Sequence, residues 1–226
     1  MTKRFLQAAL VTFCLTGYGV PASAATIVID TTGSQNSSII FFGEPDTATY
    51  GQTFTLATAS LLNSFTFFFD DQQTAGDGLT NFEAYVMAWD GSKATGPVLY
   101  QSAPMSSSGA VGFETFAINT GNLLLGAGQY VAFFNVSNLF DSVADSSAWA
   151  SVSGVSAYAG GLFVFLNNGN NFGNVTVTNW SQNWECAGCD LSFQLVATEV
   201  PEPATLLLLG SGLGLAAARR RLKHRT

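Results

Sequence analysis

Two cysteines near the end of the chain, Cys186 and Cys189, are separated only by an Ala-Gly pair. A turn through two small residues can bring their Cα atoms within the roughly 4.4–6.8 Å that a disulfide spans. A redox role would need the first cysteine at a helix N-terminus, but a strand pattern follows this pair. The spacing therefore predicts a structural disulfide, which requires an oxidising compartment.

Three aspartates, Asp70, Asp71 and Asp77, lie in a short polar stretch that ends at Gly78. Calcium binds six to eight oxygen atoms, and carboxylates with backbone carbonyls in a glycine-containing loop can supply them. The spacing does not match an EF-hand. Two interpretations stay open, a Ca²⁺ site and a solvated acidic turn, and no other cofactor is predicted.

Trp180 and Trp184 lie close together and have amide neighbours at Asn179, Gln182 and Asn183. Flat aromatic faces that pack against C–H groups, flanked by amide donors and acceptors, are typical of sugar recognition. The two tryptophans are therefore the predicted ligand site. In the alternative interpretation, one or both of them cap the core and the amides occupy turns.

The glutamates Glu44, Glu83, Glu114 and Glu185 are candidates for the paired carboxylates of a glycoside hydrolase. Such pairs lie about 5–5.5 Å apart in retaining enzymes and about 6.5–9.5 Å apart in inverting ones. The only histidine, His224, lies near the C-terminus among Lys and Arg residues, so the rest of the chain has no histidine. A Ser-His-Asp or Cys-His arrangement and a His-ligated zinc site are thus excluded from the rest of the chain, and we predict no catalytic residues.

Charge is divided unevenly between the chain termini and the body, residues 25–199. Seven of the eight Lys and Arg residues lie in the termini, which leaves Lys93 in the body with 14 of the 15 acidic residues. The body therefore has a formal charge of −13. Such a surface repels phosphate backbones, so a nucleic-acid partner is excluded, and it can attract divalent cations.

Short runs of β-branched and aromatic residues, separated by clusters of Gly, Asn, Ser, Asp and Pro, occupy the whole body. Phe65, Phe67 and Phe69 alternate with their neighbours, as do the residues of 82–89. This period suits strands with one face in a core. We predict an all-β fold, an antiparallel β-sandwich of jelly-roll type. The predicted strands are 26–30, 38–42, 53–56, 63–69, 81–89, 97–101, 112–118, 130–135, 162–167, 175–179 and 191–197.

The N-terminus has the three parts of a secretory signal peptide. Lys3 and Arg4 precede a largely apolar segment at 5–20, and Ala22-Ser23-Ala24 supplies small residues at the cleavage positions. Cleavage is expected after Ala24. An N-terminal membrane anchor is the alternative, but the apolar segment is short for one.

Three adjacent parts also make up the C-terminus. Pro201-Glu202-Pro203 resists helix entry because proline fixes φ and lacks an N–H. An uncharged apolar run follows at 204–218 and can be helical in lipid. The basic residues after it anchor the far end in anionic headgroups; they are Arg219, Arg220, Arg221, Lys223 and Arg225. This order resembles the PEP-CTERM sorting signal of Gram-negative bacteria, which accompanies the exosortase system.

The resemblance implies that an exosortase recognises Pro201-Glu202-Pro203 and removes the tail. Before processing, a transmembrane helix at 203–218 would hold the exported chain in the inner membrane, with the body in the periplasm. Afterwards the body would reach the cell surface or the extracellular matrix. The expected organisation is a signal peptide at 1–24, a β-sandwich domain at 25–199 and a sorting tail at 200–226.

Parts of the body resemble extracellular β-sandwich domains of the choice-of-anchor kind, which are joined to interchangeable surface anchors. The segments that carry the resemblance are QTFT (52–55), LNSFTF (62–67), AYVMAWDG (84–91), GPVLY (96–100) and LLGAGQYV (124–131). The two resemblances together imply a non-catalytic surface or matrix protein associated with exopolysaccharide or biofilm. The negative charge of the body predicts that a direct partner is neutral or cationic, and neutral polysaccharide is the expected one. The alternative is a carboxylate-dependent extracellular glycoside hydrolase.

Overall fold

The structure is a computed structural model that describes residues 24–71, 79–154, 156–182 and 188–201. The predicted signal peptide, apart from Ala24, and the predicted transmembrane helix lie outside these residues. Ala24–Val200 form one unit, which contains the body.

The strand-forming runs of the sequence become thirteen strands within the described residues, joined by turns and three short 3-10 helices. The 3-10 helices are Thr32–Ser34, Ser137–Leu139 and Phe172–Thr176. The strands are β1 (Thr26–Asp30), β2 (Ser37–Phe42), β3 (Thr49–Leu56), β4 (Ser60–Asp70), β5 (Asn81–Trp89), β6 (Ala94–Gln101), β7 (Met105–Ser106), β8 (Glu114–Leu125), β9 (Gly128–Asn135), β10 (Ser147–Val152), β11 (Phe163–Leu166), β12 (Asp190–Leu191) and β13 (Phe193–Glu199).

These strands form two sheets in which every pairing is antiparallel. The first sheet has the order β1-β13-β4-β10-β12, with β2 beside β10 and β8 beside β4. The second has the order β11-β3-β9-β5-β6, with β7 beside β5. The predicted all-β antiparallel sandwich is confirmed.

The alternating phenylalanines of β4 point into the space between the sheets. Phe65, Phe67 and Phe69 have no exposed surface, and they pack with Phe134 of the second sheet and Trp149 of β10. Each such ring buries on the order of 150–250 Å² and prefers the edge-to-face or offset contacts found here. The main core is therefore largely aromatic.

A second apolar cluster lies on the other face of the second sheet. Tyr85, Val131, Phe133 and Val164 alternate with the residues that point into the main core, and they too are buried. The chain at 167–182 crosses this face, and Val175 and Trp180 of that segment belong to the cluster. The second sheet is therefore covered on both faces along part of its length.

The strand predicted at 191–197 is divided in the structure into β12 and β13, β8 extends beyond the predicted 112–118, and the short β7 was not predicted. Two further differences have a clear physical reason. The strand predicted at 175–179 is wrong, because Phe172–Thr176 is a 3-10 helix and Val177 N and Thr178 N donate to Asn174 O at 3.1 and 2.9 Å. The strand β10 was not predicted, because its sequence SAWASV consists mostly of small residues with weak strand preference. All six of its residues are nevertheless buried, since it pairs with β2, β4 and β12.

Candidate functional site

Trp180, from the predicted sugar site, is only 4% exposed. Its Nε1 donates a hydrogen bond to Val175 O at 2.9 Å, and its ring meets Trp89 and Phe133 edge-on at centroid distances of 5.4 and 5.2 Å. Trp180 is thus a core residue that offers no open face to a sugar ring, as in the alternative interpretation. Trp184 lies outside the described residues.

A pocket of about 240 Å³ lies beside this cluster, on the outer face of the second sheet. Three neighbouring strands place Trp89, Gln129 and Thr55 in a row across it. Thr55 of β3 pairs directly with Gln129 of β9, and Ala88 of β5 pairs with Tyr130 of β9, so Trp89 lies at the Gln129 end of its strand. The full lining consists of Thr53, Thr55, Trp89, Gly91, Gln129, Ala159, Gly160, Gly161, Leu162 and Gln182.

The polar groups of the pocket carry no charge, because none of the lining residues has an ionisable side chain. Gln129 is exposed, and its side chain makes no hydrogen bond to the described residues. Gln182 donates from Nε2 to Gly91 O at 3.1 Å, while its Oε1 accepts no hydrogen bond from any residue that the structure describes. The pocket therefore offers amide donors and acceptors to a neutral ligand.

One wall of the pocket is the loop that contains Gly160 and Gly161. A Cβ atom at Gly161 would overlap the carbonyl oxygen of Thr53, so only glycine allows the loop to approach β3 this closely. Thr55 Oγ1 donates to Gly160 O at 2.7 Å, and Leu162 N donates to Thr53 Oγ1 at 2.9 Å. These contacts hold the wall against the strand.

The buried carboxylate of Asp190 holds the start of the same loop. Its Oδ2 accepts hydrogen bonds from Ala157 N and Tyr158 N, both at 2.8 Å, and from Ser156 Oγ at 3.2 Å. Its Oδ1 accepts from Gln52 Nε2 at 2.8 Å. Asp190 is a lone aspartate at the start of β12, and such a residue gives no signal of this role in the sequence.

Asp90 and Tyr158 are the chain neighbours of the lining residues Gly91 and Ala159. Asp90 accepts hydrogen bonds from Ser92 Oγ, Ser92 N and Lys93 N at 2.8–2.9 Å, and these bonds, the Ser92 hydroxyl first, lower the pKa of its carboxyl. The Tyr158 hydroxyl accepts from Thr55 N at 3.1 Å, and burial raises its pKa. At neutral pH Asp90 is therefore charged but engaged in its own turn, and Tyr158 is neutral.

The aspartates of the predicted calcium site are only partly within the described residues. Asp71 is 3% exposed; its Oδ2 accepts from Gly109 N at 3.2 Å, and its Oδ1 has no hydrogen-bond partner among the residues that the structure describes. Asp70 is half-buried at the end of β4, and Asp77 lies outside the described residues. Across the described part of the chain, no three His, Cys, Asp or Glu residues come together as a metal site. Calcium binding stays a prediction. A rise in the thermal unfolding midpoint on addition of CaCl₂ would support it, provided that Asp71→Asn abolishes the rise.

Only one cysteine of the predicted disulfide is among the described residues. Cys189 is 2% exposed and directly precedes β12, and its carbonyl oxygen accepts from Phe163 N at 2.7 Å. Cys186 lies outside the described residues. The disulfide stays a prediction.

The described glutamates of the hydrolase alternative hold different parts of the chain. Glu44 accepts from the backbone N–H groups of residues 141 and 142 at 2.8 and 3.0 Å, and Glu114 accepts from that of residue 108 at 3.0 Å. Glu83 is 7% exposed and accepts from Tyr85 Oη at 2.5 Å and Gln101 Nε2 at 3.1 Å. Each therefore has a structural role, and Glu185 lies outside the described residues.

Comparison with solved structures finds low similarity. The cysteine protease and lectin-like domains of Cwp84, a surface layer associated protein of Clostridium difficile, are 13% identical, with a TM-score of 0.48 over 77% of this chain and 36% of that one. The clostridial protease Cwp84 after propeptide cleavage is 11% identical, with a TM-score of 0.47 over 77% of this chain and 40% of that one. This chain thus spans less than half of either. No curated protein sequence matches it.

The end of the body leads directly into the tail. The last strand ends at Glu199, whose N–H donates to Ala25 O at 2.8 Å, and Val200 N donates to Ala59 O at 2.8 Å. No helix in the described residues is long and apolar enough to cross a membrane, and 203–218 lie outside them. Residues 199–221 match the family of the PEP-CTERM protein-sorting motif. The chain therefore carries a PEP-CTERM sorting motif behind an antiparallel β-sandwich, and is an exported protein that exosortase sorts.

Proposed function

We propose that the sandwich is a non-catalytic component of the extracellular polymer matrix and that it binds neutral polysaccharide. The observation that carries this proposal is an uncharged, amide-lined pocket on an exported domain. The sorting motif supports delivery to the surface, and the structural engagement of Glu44, Glu83 and Glu114 favours a binding role over hydrolysis.

The negative charge of the body determines which charge a bound polysaccharide can have. One lysine and fourteen acidic residues repel an anionic polymer unless divalent cations bridge the two. Contacts through hydroxyl and amide groups need no charge and persist in salt, whereas ionic attachment weakens as the Debye length falls to about 3 Å at 1 M. The charge of the body therefore leaves neutral and cationic partners, and the uncharged lining of the pocket favours a neutral one.

The route to the surface passes through the inner membrane. A helix over 203–218 would rise roughly 24 Å, slightly less than the ~30 Å hydrocarbon core, and long arginine side chains can reach across the difference. Arg219, Arg220 and Arg221 then stay in the cytoplasm, with the body in the periplasm. Removal of the tail by exosortase releases the body to the surface or matrix.

Glycan binding tests the function. The full chain is expressed in a Gram-negative host that contains an exosortase, and the exported form is applied to an array of neutral and acidic glycans at two salt concentrations. We expect binding to neutral glycans that changes little with salt. Binding restricted to acidic glycans, or none at all, would contradict the proposal.

The processing step has its own measurement, the intact mass of the exported protein. We expect a mass that lacks residues 1–24 and the tail beyond the Pro201-Glu202-Pro203 region. In an exosortase-deficient strain the tail should remain and the protein should stay in the inner membrane fraction. A tail that is intact through Thr226 in the exosortase-positive strain would refute processing.

A further inference from the structure

We propose that the pocket between Trp89, Gln129 and Gln182 is the polysaccharide site, and that it takes one uncharged sugar unit. This inference rests on the proposed function and specifies where that function is carried out. It moves the site from the face of Trp180, which is 4% exposed, to a neighbouring surface. Of the residues in the predicted sugar cluster, Gln182 lines this pocket, whereas Trp89 and Gln129 were not indicated by the sequence.

The pocket lies where the outer face of the second sheet is left uncovered. The segment 167–182 covers the apolar side chains further along β5 and β9, among them Tyr85 and Phe133. At the end of β5 and the start of β9 the same face continues with Trp89, with Gln129 and with Thr55 of β3. The backbones of Gln129 and Thr55 pair directly, and both side chains are exposed. The outer face of the second sheet is therefore covered and apolar over one part and open and polar over the next, and the open part can bind a polar ligand.

The side-chain amides of Gln129 and Gln182 can hydrogen-bond to the hydroxyl groups of a sugar. The Gln129 amide is exposed and unpaired among the described residues, and Gln182 Oε1 is a further acceptor. A carboxamide both donates and accepts, so it can bind a hydroxyl that does the same. Trp89 is 8% exposed and so contributes an apolar edge rather than a full stacking surface. An ion finds no counter-charge among the lining residues.

The volume sets the size of the ligand. Pockets for drug-sized ligands have roughly 300–1,000 Å³, and this one has about 240 Å³. It therefore suits a single ring, while the neighbouring units of a polymer extend into solvent past Gln129.

The wall of the pocket is already in place. Gly161 lies against the Thr53 carbonyl, Thr55 Oγ1 binds Gly160 O, and Asp190 fixes the preceding residues. A site that does not need to be ordered on binding avoids that entropic cost. The arrangement is consistent with a rigid site for one ring.

Three variants of the exported protein test the site, with soluble dextran, mannan and β-glucan as probes in titration calorimetry. Gln129→Ala removes the free amide, and Gln129→Trp fills the pocket. Gln35→Ala is the control, because Gln35 is also exposed but lies between β1 and β2, directly after the 3-10 helix Thr32–Ser34. We expect Gln129→Ala to weaken binding by about 2–10-fold, the effect of one lost hydrogen bond of roughly 0.5–1.5 kcal/mol. Gln129→Trp should abolish binding, and Gln35→Ala should leave it unchanged.

The outcomes separate the site from the function. If the unaltered protein binds a neutral polymer and folded Gln129→Trp binds it equally well, the pocket is the wrong site and the proposed function stands. If the unaltered protein binds none of the three probes and none of the neutral glycans on the array, both are wrong. Thermal unfolding of each variant establishes that it is folded.

Discussion

Asp190 Oδ1 accepts a hydrogen bond from Gln52 Nε2 at 2.8 Å, across 138 positions of sequence. Gln52 Oε1 in turn accepts from Leu191 N at 2.8 Å, so the two side chains join β3 of one sheet to β12 of the other. Asp190 has no exposed surface, and its second oxygen binds the backbone N–H groups of residues 157 and 158. One carboxylate thus connects the two sheets and the pocket wall.

Replacing this carboxylate should destabilise the fold. Asp190→Asn places an NH₂ group opposite N–H donors, and hydrogen bonds to charged groups are among the stronger ones. We expect a loss of about 2–4 kcal/mol in the free energy of unfolding, measured by urea denaturation. Asp141→Asn is the matched control, because that exposed side chain accepts one local bond from Val143 N. Equal, small effects of the two substitutions would contradict the role of Asp190.

Trp180 should behave as a core residue. Trp180→Ala removes a buried ring that contacts Trp89 and Phe133, and we expect a loss of about 3–5 kcal/mol in unfolding free energy. Trp180→Phe keeps part of the volume and should cost less. Trp180→Ala that unfolds at the same urea concentration as the unaltered protein would show that the ring is not part of a core.

Buried tyrosines should make the fold sensitive to alkali. Burial first, and then the charge of Asp46, raises the pKa of Tyr50; burial and the hydrogen bond to Glu83 raise that of Tyr85. In the unfolded chain tyrosine titrates near pH 10, so the folded state holds these protons more tightly. Stability is therefore complete below about pH 10 and falls as the pH rises further.

Urea denaturation between pH 8 and pH 11 measures this slope. Tyr85→Phe removes one of the titrating groups, so its stability should fall less steeply with pH above about 10, whatever its stability at pH 8. A slope identical to that of the unaltered protein would mean that Tyr85 ionises equally easily in the folded state.

The predicted disulfide has a direct chemical test. Cys14 leaves with the predicted signal peptide, so the exported protein contains only Cys186 and Cys189. We expect iodoacetamide to add no mass under denaturing conditions without reductant and two carbamidomethyl groups after reduction. Alkylation of both cysteines before reduction would show that the thiols are free.

Linear patterns determined that the protein carries a sorting motif and which fold class it has. The sorting motif is a continuous run, so its order of prolines, apolar residues and arginines is complete in the sequence. The alternation of Phe65, Phe67 and Phe69 likewise reports a strand with one buried face, because the period of a strand is local. Local patterns were weaker for β10, where small residues pair with three strands. They also failed at 175–179, where the end of a 3-10 helix and the turn after it replace the expected strand.

The candidate site was decided by tertiary structure. Trp89, Gln129 and Thr55 are far apart in the chain and become neighbours only through the antiparallel register of β5, β9 and β3. The aromatic-polar pattern around Trp180 was compatible with a sugar site and with a core, because residue type does not report which face is covered. The crossing of 167–182 over the second sheet buried Trp180 and left the pocket beside it open. That choice depends on long-range packing, which no short stretch of sequence contains.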